Sequence, residues 1–220
     1  AVKGYTGTLT TNVGGAPAYT YYVPNGDLYD VYVLSKDKFY VNKSCAEMFK
    51  GMSALTEVAL DNMDFSNVTK MNGMFNGCSS LKTVDVSDWD VSNVTTMASM
   101  FNGCTSLDNL DVSSWNTESL TTIGSMFHGC KSLSALSLED WDVSDVTNVS
   151  SAFFGCTSLS ELDFSKWDTS KVTSFFSAFN GCSNLTSLEL SGLETAAVTN
   201  MGNMFSGCNS LASLDISSFN

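Results

Sequence analysis

Six of the seven cysteines in this 220-residue chain fall in one column, every 26 residues: Cys78, Cys104, Cys130, Cys156, Cys182 and Cys208. Met52 stands in the same place one step earlier, and Cys45 lies off the column. If the repeats stack about 4.8 Å apart, neighbouring thiols come within reach of a disulfide. Buried free thiols fit the column equally well, because Met and Cys share only an apolar character. Zinc asks for closely spaced ligands such as Cys-x-x-Cys, which the sequence lacks. The one histidine, His128, shares its column with Asn76, Asn102 and Phe154 just before a glycine, and reads as a tolerant turn position. With no second histidine, no nucleophile motif and no Gly-rich phosphate loop, the sequence predicts no enzyme and no catalytic residue.

Two columns of carboxylates repeat in the same way. One runs Asp85, Asp111, Asp163, Glu189 and Asp215, with Ala59 and Ser137 completing it. The other, five residues on, holds Asp64, Asp90, Asp142, Asp168 and Glu194. Like charges on adjacent strands repel, so the first column is either a solvated face or a face for a cation or a cationic ligand. Calcium, which takes several carboxylate and carbonyl oxygens, is the cofactor such columns could hold; no other is implied. The aromatic columns, Phe49 to Phe205 and Trp89, Trp115, Trp141 and Trp167, read as core ladders, with sugar stacking on the Trp column as the alternative. Met63 and Leu193 in the Trp column favour the core.

The elements that must hold these columns follow from the period. Met100–Leu107 returns at 48, 74, 126, 152, 178 and 204 with no insertion, and a fixed period of that length indicates stacked repeats. Leu81, Val84, Val86, Trp89 and Val91 follow leucine-rich-repeat spacing, with Trp where Asn is usual. The alternation predicts a strand at 83–87, with equivalents around 58–60, 110–112, 136–138, 162–164, 188–190 and 214–216, forming one parallel sheet. Met97, Met100 and Phe101 stand at i, i+3 and i+4, which predicts a short helix on the return side. Thr95 and its equivalents would cap that helix and Gly103 would close it. The expected fold is therefore a right-handed leucine-rich-repeat solenoid of α/β type, with one parallel β-sheet, short return-side helices and an N-terminal β cap. Residues 1–18 read as an extended Gly/Thr-rich arm, 19–47 as the cap with strands near 19–23, 28–34 and 39–41, and 48–220 as seven repeats, the last incomplete.

Charge narrows the partners. There are 23 acidic residues against 10 lysines and no arginine. Residues 1–50 carry five lysines and four acids, +1, and the remainder five lysines and nineteen acids, −14. Such a chain is a poor ligand for nucleic acid or anionic lipid. No run of 18 apolar residues predicts a membrane helix. Ala1 in place of an initiating Met fits a processed, exported protein. Asn42, Asn67, Asn93, Asn148 and Asn184 lie in glycosylation acceptor sequences, which a repeat rich in Asn, Ser and Thr also produces by composition.

The unit Met-Phe-x-Gly-Cys-x-Ser-Leu-x-x-Leu-Asp-x-Ser-x-Trp-Asp-x-Ser-x-Val-Thr resembles the 26-residue BspA-like leucine-rich repeats of bacterial surface proteins. The resemblance covers 48–220, and residues 28–48 resemble the segment that precedes such repeats. It implies a secreted or cell-surface protein acting in adhesion or assembly, with no catalytic residues to carry over. The last repeat ends on a strand, which would leave Leu211, Leu214, Ile216 and Phe219 facing water. That edge fits either a piece cut from a longer array or docking on the next subunit. The expected function is a non-enzymatic extracellular protein that self-associates head-to-tail into a filament or array. The alternative is a monomeric adhesion module binding a protein or glycan through its acidic face. Partners are then copies of itself or another surface protein.

Overall fold

The computed structural model describes the backbone of residues 5–7, 19–25, 28–34, 39–61 and 63–220, and the side chains of 40–61 and 63–220. The strands among these are β1 (Tyr5–Gly7), β2 (Tyr19–Asn25), β3 (Leu28–Leu34), β4 (Phe39–Tyr40), β5 (Leu55–Ala59), β6 (Met63–Asp64), β7 (Thr83–Val84), β8 (Glu161–Asp163) and β9 (Ser187–Glu189). Most of the expected arm and the turns at 26–27 and 35–38 lie outside the described residues. β2 and β3 form an antiparallel hairpin in register from Tyr19↔Leu34 to Asn25↔Leu28. β3 then pairs parallel with β5, and β5 with β7, giving the order β1-β2-β3-β5-β7. The hairpin thus occupies the strand edge of the first repeat, which would otherwise expose its backbone donors and acceptors. β4 with β6, and β8 with β9, make two separate two-stranded sheets.

These observations correct the expected fold class. The described residues contain no helix, and the strands are short and divided among separate sheets. The expected strands at 110–112, 136–138 and 214–216 are absent. The right-handed leucine-rich-repeat solenoid, with return-side helices and one parallel sheet, is not what this chain forms.

The missing helix has a local cause. Met97, Met100, Phe101 and Cys104 are fully buried on one face, which is the pattern that suggests a helix. Between them Ser99 is left-handed, with φ 58°. A helix needs right-handed φ throughout, and a left-handed non-glycine residue costs about 1–2 kcal/mol. Every equivalent of Ser99 does the same: Glu47, Gly73, Ser125, Ser151, Ser177 and Asn203 have φ between 54° and 62°. Hydrogen bonding accounts for the choice. The amides of Met97, Ser99, Phe101 and Gly103 donate to Thr122, Gly124, Met126 and His128 of the next repeat, while those of Met100, Asn102 and Cys104 donate three residues back within their own. Alternate amides therefore bond forward instead of along a helix.

The threonine column is likewise no helix cap. The Thr95 amide and hydroxyl both donate to the Thr69 carbonyl, at 2.9 and 3.0 Å, and Thr121 does the same to Thr95. Gly103 is left-handed, as the turn reading requires, and closely packed as well. A Cβ there would lie 3.6 Å from the Cα of Gly77, and one on Gly207 only 3.3 Å from that of Gly181. Inside these turns the phenylalanine column stacks face to face. Phe75 and Phe101 have ring centroids 5.5 Å apart and planes within 5°, and the ladder runs unbroken from Phe49 to Phe205. One continuous apolar cluster extends from Val41 to Met204. Each fully buried Phe or Leu in it contributes about 1.5–3 kcal/mol.

Candidate interaction surfaces

The first acidic column is built from Asp-x-Ser turns. The Oδ1 of Asp85 accepts from the Ser87 amide at 3.1 Å and the Ser87 hydroxyl at 2.7 Å, and Asp111 holds Ser113 in the same way. Asp163 and Asp215 accept from the amides of Ser165 and Ser217, and Glu189 from that of Ser191. A carboxylate hydrogen-bonded in its charged form holds its proton less tightly. The serine hydroxyl and then its amide accordingly lower the pKa of Asp85, Asp111, Asp163 and Asp215. At Asp85 the negative charge of Asp111 works weakly the other way. These turns also bend the chain out of the extended form, which shortens the strands. The second column repeats the device at Asp90, Asp142 and Asp168.

Asp85 and Asp111 come together in an open groove of about 450 Å³, with Glu57 and Asp61 added from the preceding repeat. Asp163, Glu189 and Asp215 lie outside it. Glu57 and Asp61 belong to neither carboxylate column, so column counting misses them. The signal was available in β5, whose partner in register places Glu57 beside Thr83. Among the described residues no three His, Cys, Asp or Glu converge as a metal-binding group.

All seven cysteines are free. Each thiol of the column donates to the carbonyl of a Phe 29 residues back, as Cys104 does to Phe75 at 3.2 Å. Burial pushes Cys78 up to about 11 and Cys182 up to about 12, and raises Cys104, Cys130 and Cys156 as well. These are protonated, packed thiols and not nucleophiles. The Trp column is core: Trp115, Trp141 and Trp167 are buried, and each indole N–H donates to a carbonyl of the preceding repeat, Val86, Val112 and Leu138. His128 stacks on Phe154 with centroids 4.6 Å apart. The acceptor asparagines Asn42, Asn67, Asn93, Asn148 and Asn184 are exposed, and the Asn93 amide is tied to the Ser66 carbonyl.

The apolar column residues open at the last repeat, as Met48 and Met63 do at the first. Leu185, Leu188, Leu190 and Leu193 are 9% exposed or less. Their equivalents Leu211, Leu214 and Phe219 are half-buried, and Ile216 is 49% exposed. Met201 and Phe205 open on the turn side of the same repeat, Met201 to 40%. Asn220 closes one corner, its amide and side-chain oxygen both bonded to Thr195.

A repeat this regular invites comparison with families of known sequence. The chain matches the family model described as "Mycoplasma protein of unknown function, DUF285" over residues 43–161 and 134–220. It belongs to this family. The two matches overlap at 134–161, as the self-similarity of the DUF285 repeats allows. No curated protein matches the chain. The family's description carries no activity, so the surfaces described above are what a functional reading of this DUF285 chain has to rest on. No helix of the described residues is long and apolar enough to cross a membrane.

Proposed function

We propose that the chain is a non-enzymatic, extracellular structural protein that self-associates through the ends of its repeat stack into a surface filament or array. The observation that carries this reading is the open last repeat. Leu211, Leu214, Ile216 and Phe219 form an apolar edge among the described residues, whereas Leu185, Leu188, Leu190 and Leu193 of the preceding repeat are buried. An apolar edge of this kind is where a further repeat, of this polypeptide or of another copy, would pack. The resemblance to bacterial surface repeats and the absence of arginine support an extracellular setting without nucleic acid. Electron microscopy of the purified chain tests the reading: elongated assemblies are expected, and uniformly single particles would end it.

A second reading is favoured by one observation, the groove lined by Glu57, Asp61, Asp85 and Asp111. Four carboxylates in one open concavity suit a cationic segment of another surface protein. Binding of a lysine-rich peptide that weakens on Asp85→Asn and Asp111→Asn, and with added salt, is the expected result. Binding unchanged by both substitutions would remove the groove.

A further inference from the structure

The repeats are not joined equally along the strand side. β5 and β7 are paired, and the amides of Ser80, Lys82, Ser106 and Asp108 donate to the repeat before. β8 and β9 are paired as well, and the Phe164 amide donates to the Glu189 carbonyl. Between these two bonded blocks lies the segment 131–143. Among the described residues, no backbone hydrogen bond joins it to the repeat on either side.

Its two interfaces are closed by different side chains. Toward 105–117, the Ser132 hydroxyl donates to Thr105, the Trp141 indole to Val112, and the buried Thr117 hydroxyl to the Asp142 carbonyl at 2.9 Å. Toward 157–171, the Thr157 hydroxyl donates to Lys131 and the Trp167 indole to Leu138. Val143 stands there in the column of Thr117 and Thr169 and has no hydroxyl to give. Two ion pairs take its place, Lys166 with Asp140 at 2.6 Å and Lys171 with Asp145. They are the only ion pairs between repeats among the described residues, since Lys50 and Glu47 share one turn. All four side chains are more than half exposed. Beside them opens a crevice of about 250 Å³, whose lining includes Glu139, Asp140, Asp142, Lys166 and Asp168.

We propose that the stack hinges between 131–143 and 157–171, its strand side opening along this crevice, with the two lysine–aspartate pairs as a salt-sensitive clasp. The turn side supplies the pivot. There the amides of Phe127, Gly129, Val149 and Ser151 bond to Ala152, Phe154, Ser174 and Phe176, and Thr173 grips Thr147. Charge sets the sign of the response. Segment 139–145 presents four carboxylates, and 163–171 presents two carboxylates and two lysines. Exposed pairs are screened by salt, so added salt loosens the clasp. Without the lysines, four carboxylates would face two, and salt would instead relieve their repulsion.

The chain carries its own reporters. Trp115, Trp141 and Trp167 are 2% or 3% exposed, and each indole N–H bonds across a different interface. Hydrogen exchange of the three indoles, followed by NMR on the full chain, tests the hinge. Trp167 is expected to exchange fastest, and to speed up with ionic strength while Trp115 and Trp141 hold steady. In the double variant Lys166→Gln, Lys171→Gln, with folding verified by circular dichroism, Trp167 is expected to exchange about two- to thirtyfold faster at low ionic strength. Added salt is expected to slow it there. Equal exchange of the three indoles in the unsubstituted chain would overturn the hinge. The same upward salt response in the double variant would overturn the ion pairs as its clasp. Val143→Thr supplies the missing hydroxyl and is expected to bring Trp167 toward the rate of Trp141. An unchanged rate would overturn that gap in the threonine column as the cause of the hinge.

Discussion

Residues 95–104 and residues 108–112 belong to the same repeat, yet they meet the next repeat by different means. On the turn side five backbone bonds cross each interface, from Thr121 to Thr95 and from Met97, Ser99, Phe101 and Gly103 forward. On the strand side no backbone bond joins 108–112 to 134–138. There the links come from side chains: the Trp141 indole to Val112, and the Thr117 hydroxyl to Asp142. The region without regular secondary structure is thus the better bonded through its backbone. At this interface the region whose alternation looks like a strand is held by packing and by individual polar side chains. No buried side-chain nitrogen or oxygen among the described residues lacks a partner, so both solutions satisfy their polar groups.

Six substitutions at five positions probe this contrast. Phe127→Ala, inside the turn-side aromatic ladder and fully buried, is expected to cost about 3–5 kcal/mol in urea denaturation. Leu136→Ala on the strand side, at 9% exposure, is expected to cost nearer about 2 kcal/mol. Equal losses would erase the distinction between the two sides. Next in size is Ser125→Val. A β-branched residue at φ 57° is expected to lose about 1–3 kcal/mol, with Ser125→Gly close to neutral, both read from denaturation midpoints. Full tolerance of valine would mean that the left-handed column is not obligatory.

Trp141→Phe keeps an aromatic ring but leaves the Val112 carbonyl without its donor. It should cost about 1–2 kcal/mol, and a loss near zero would show that side-chain links do not hold the strand side. Smallest is the effect of Asp85→Asn. The folded Asp85 carboxyl titrates below its unfolded value, so its contribution is present above the unfolded pKa and is lost as pH falls through the folded pKa. Melting temperatures from neutral pH into the acid range should therefore fall slightly less for the variant than for the parent. The side chain is exposed, which keeps the difference small. A steeper acid decline in the variant would contradict the Asp-x-Ser turn as a stabilising device.

The columns themselves were legible in residue types. Burial follows the Phe, Cys, Leu and Trp positions, because apolar identity at a fixed period leaves those side chains little choice. The path of the backbone between them was not. Met97, Met100, Phe101 and Cys104 have helical spacing, but the same spacing serves a chain that turns every three residues and sends alternate amides to its neighbour. The residue that decides between the two is Ser99. Its column of Glu, Gly, four Ser and Asn carries the clue, since Gly and Asn are the residues that most readily take positive φ. Strand length was hidden for a related reason. An outward Asp on an alternating segment reads as a charge on a strand, whereas with Ser two residues later it makes a turn. The acidic groove was half visible: Asp85 and Asp111 stand in a column, but Glu57 requires the register of β5, and Asp61 lies beyond that strand.

The double grip of each threonine on the one 26 positions earlier limits how such a gene can change length. Adding or deleting a single residue between Thr95 and Thr121 would put every later rung out of step with its predecessor. Loss or gain of a whole unit leaves all rungs aligned. Variants of this chain that differ in size should therefore differ by complete periods, with the rare odd-length change confined to the segment ahead of the first rung.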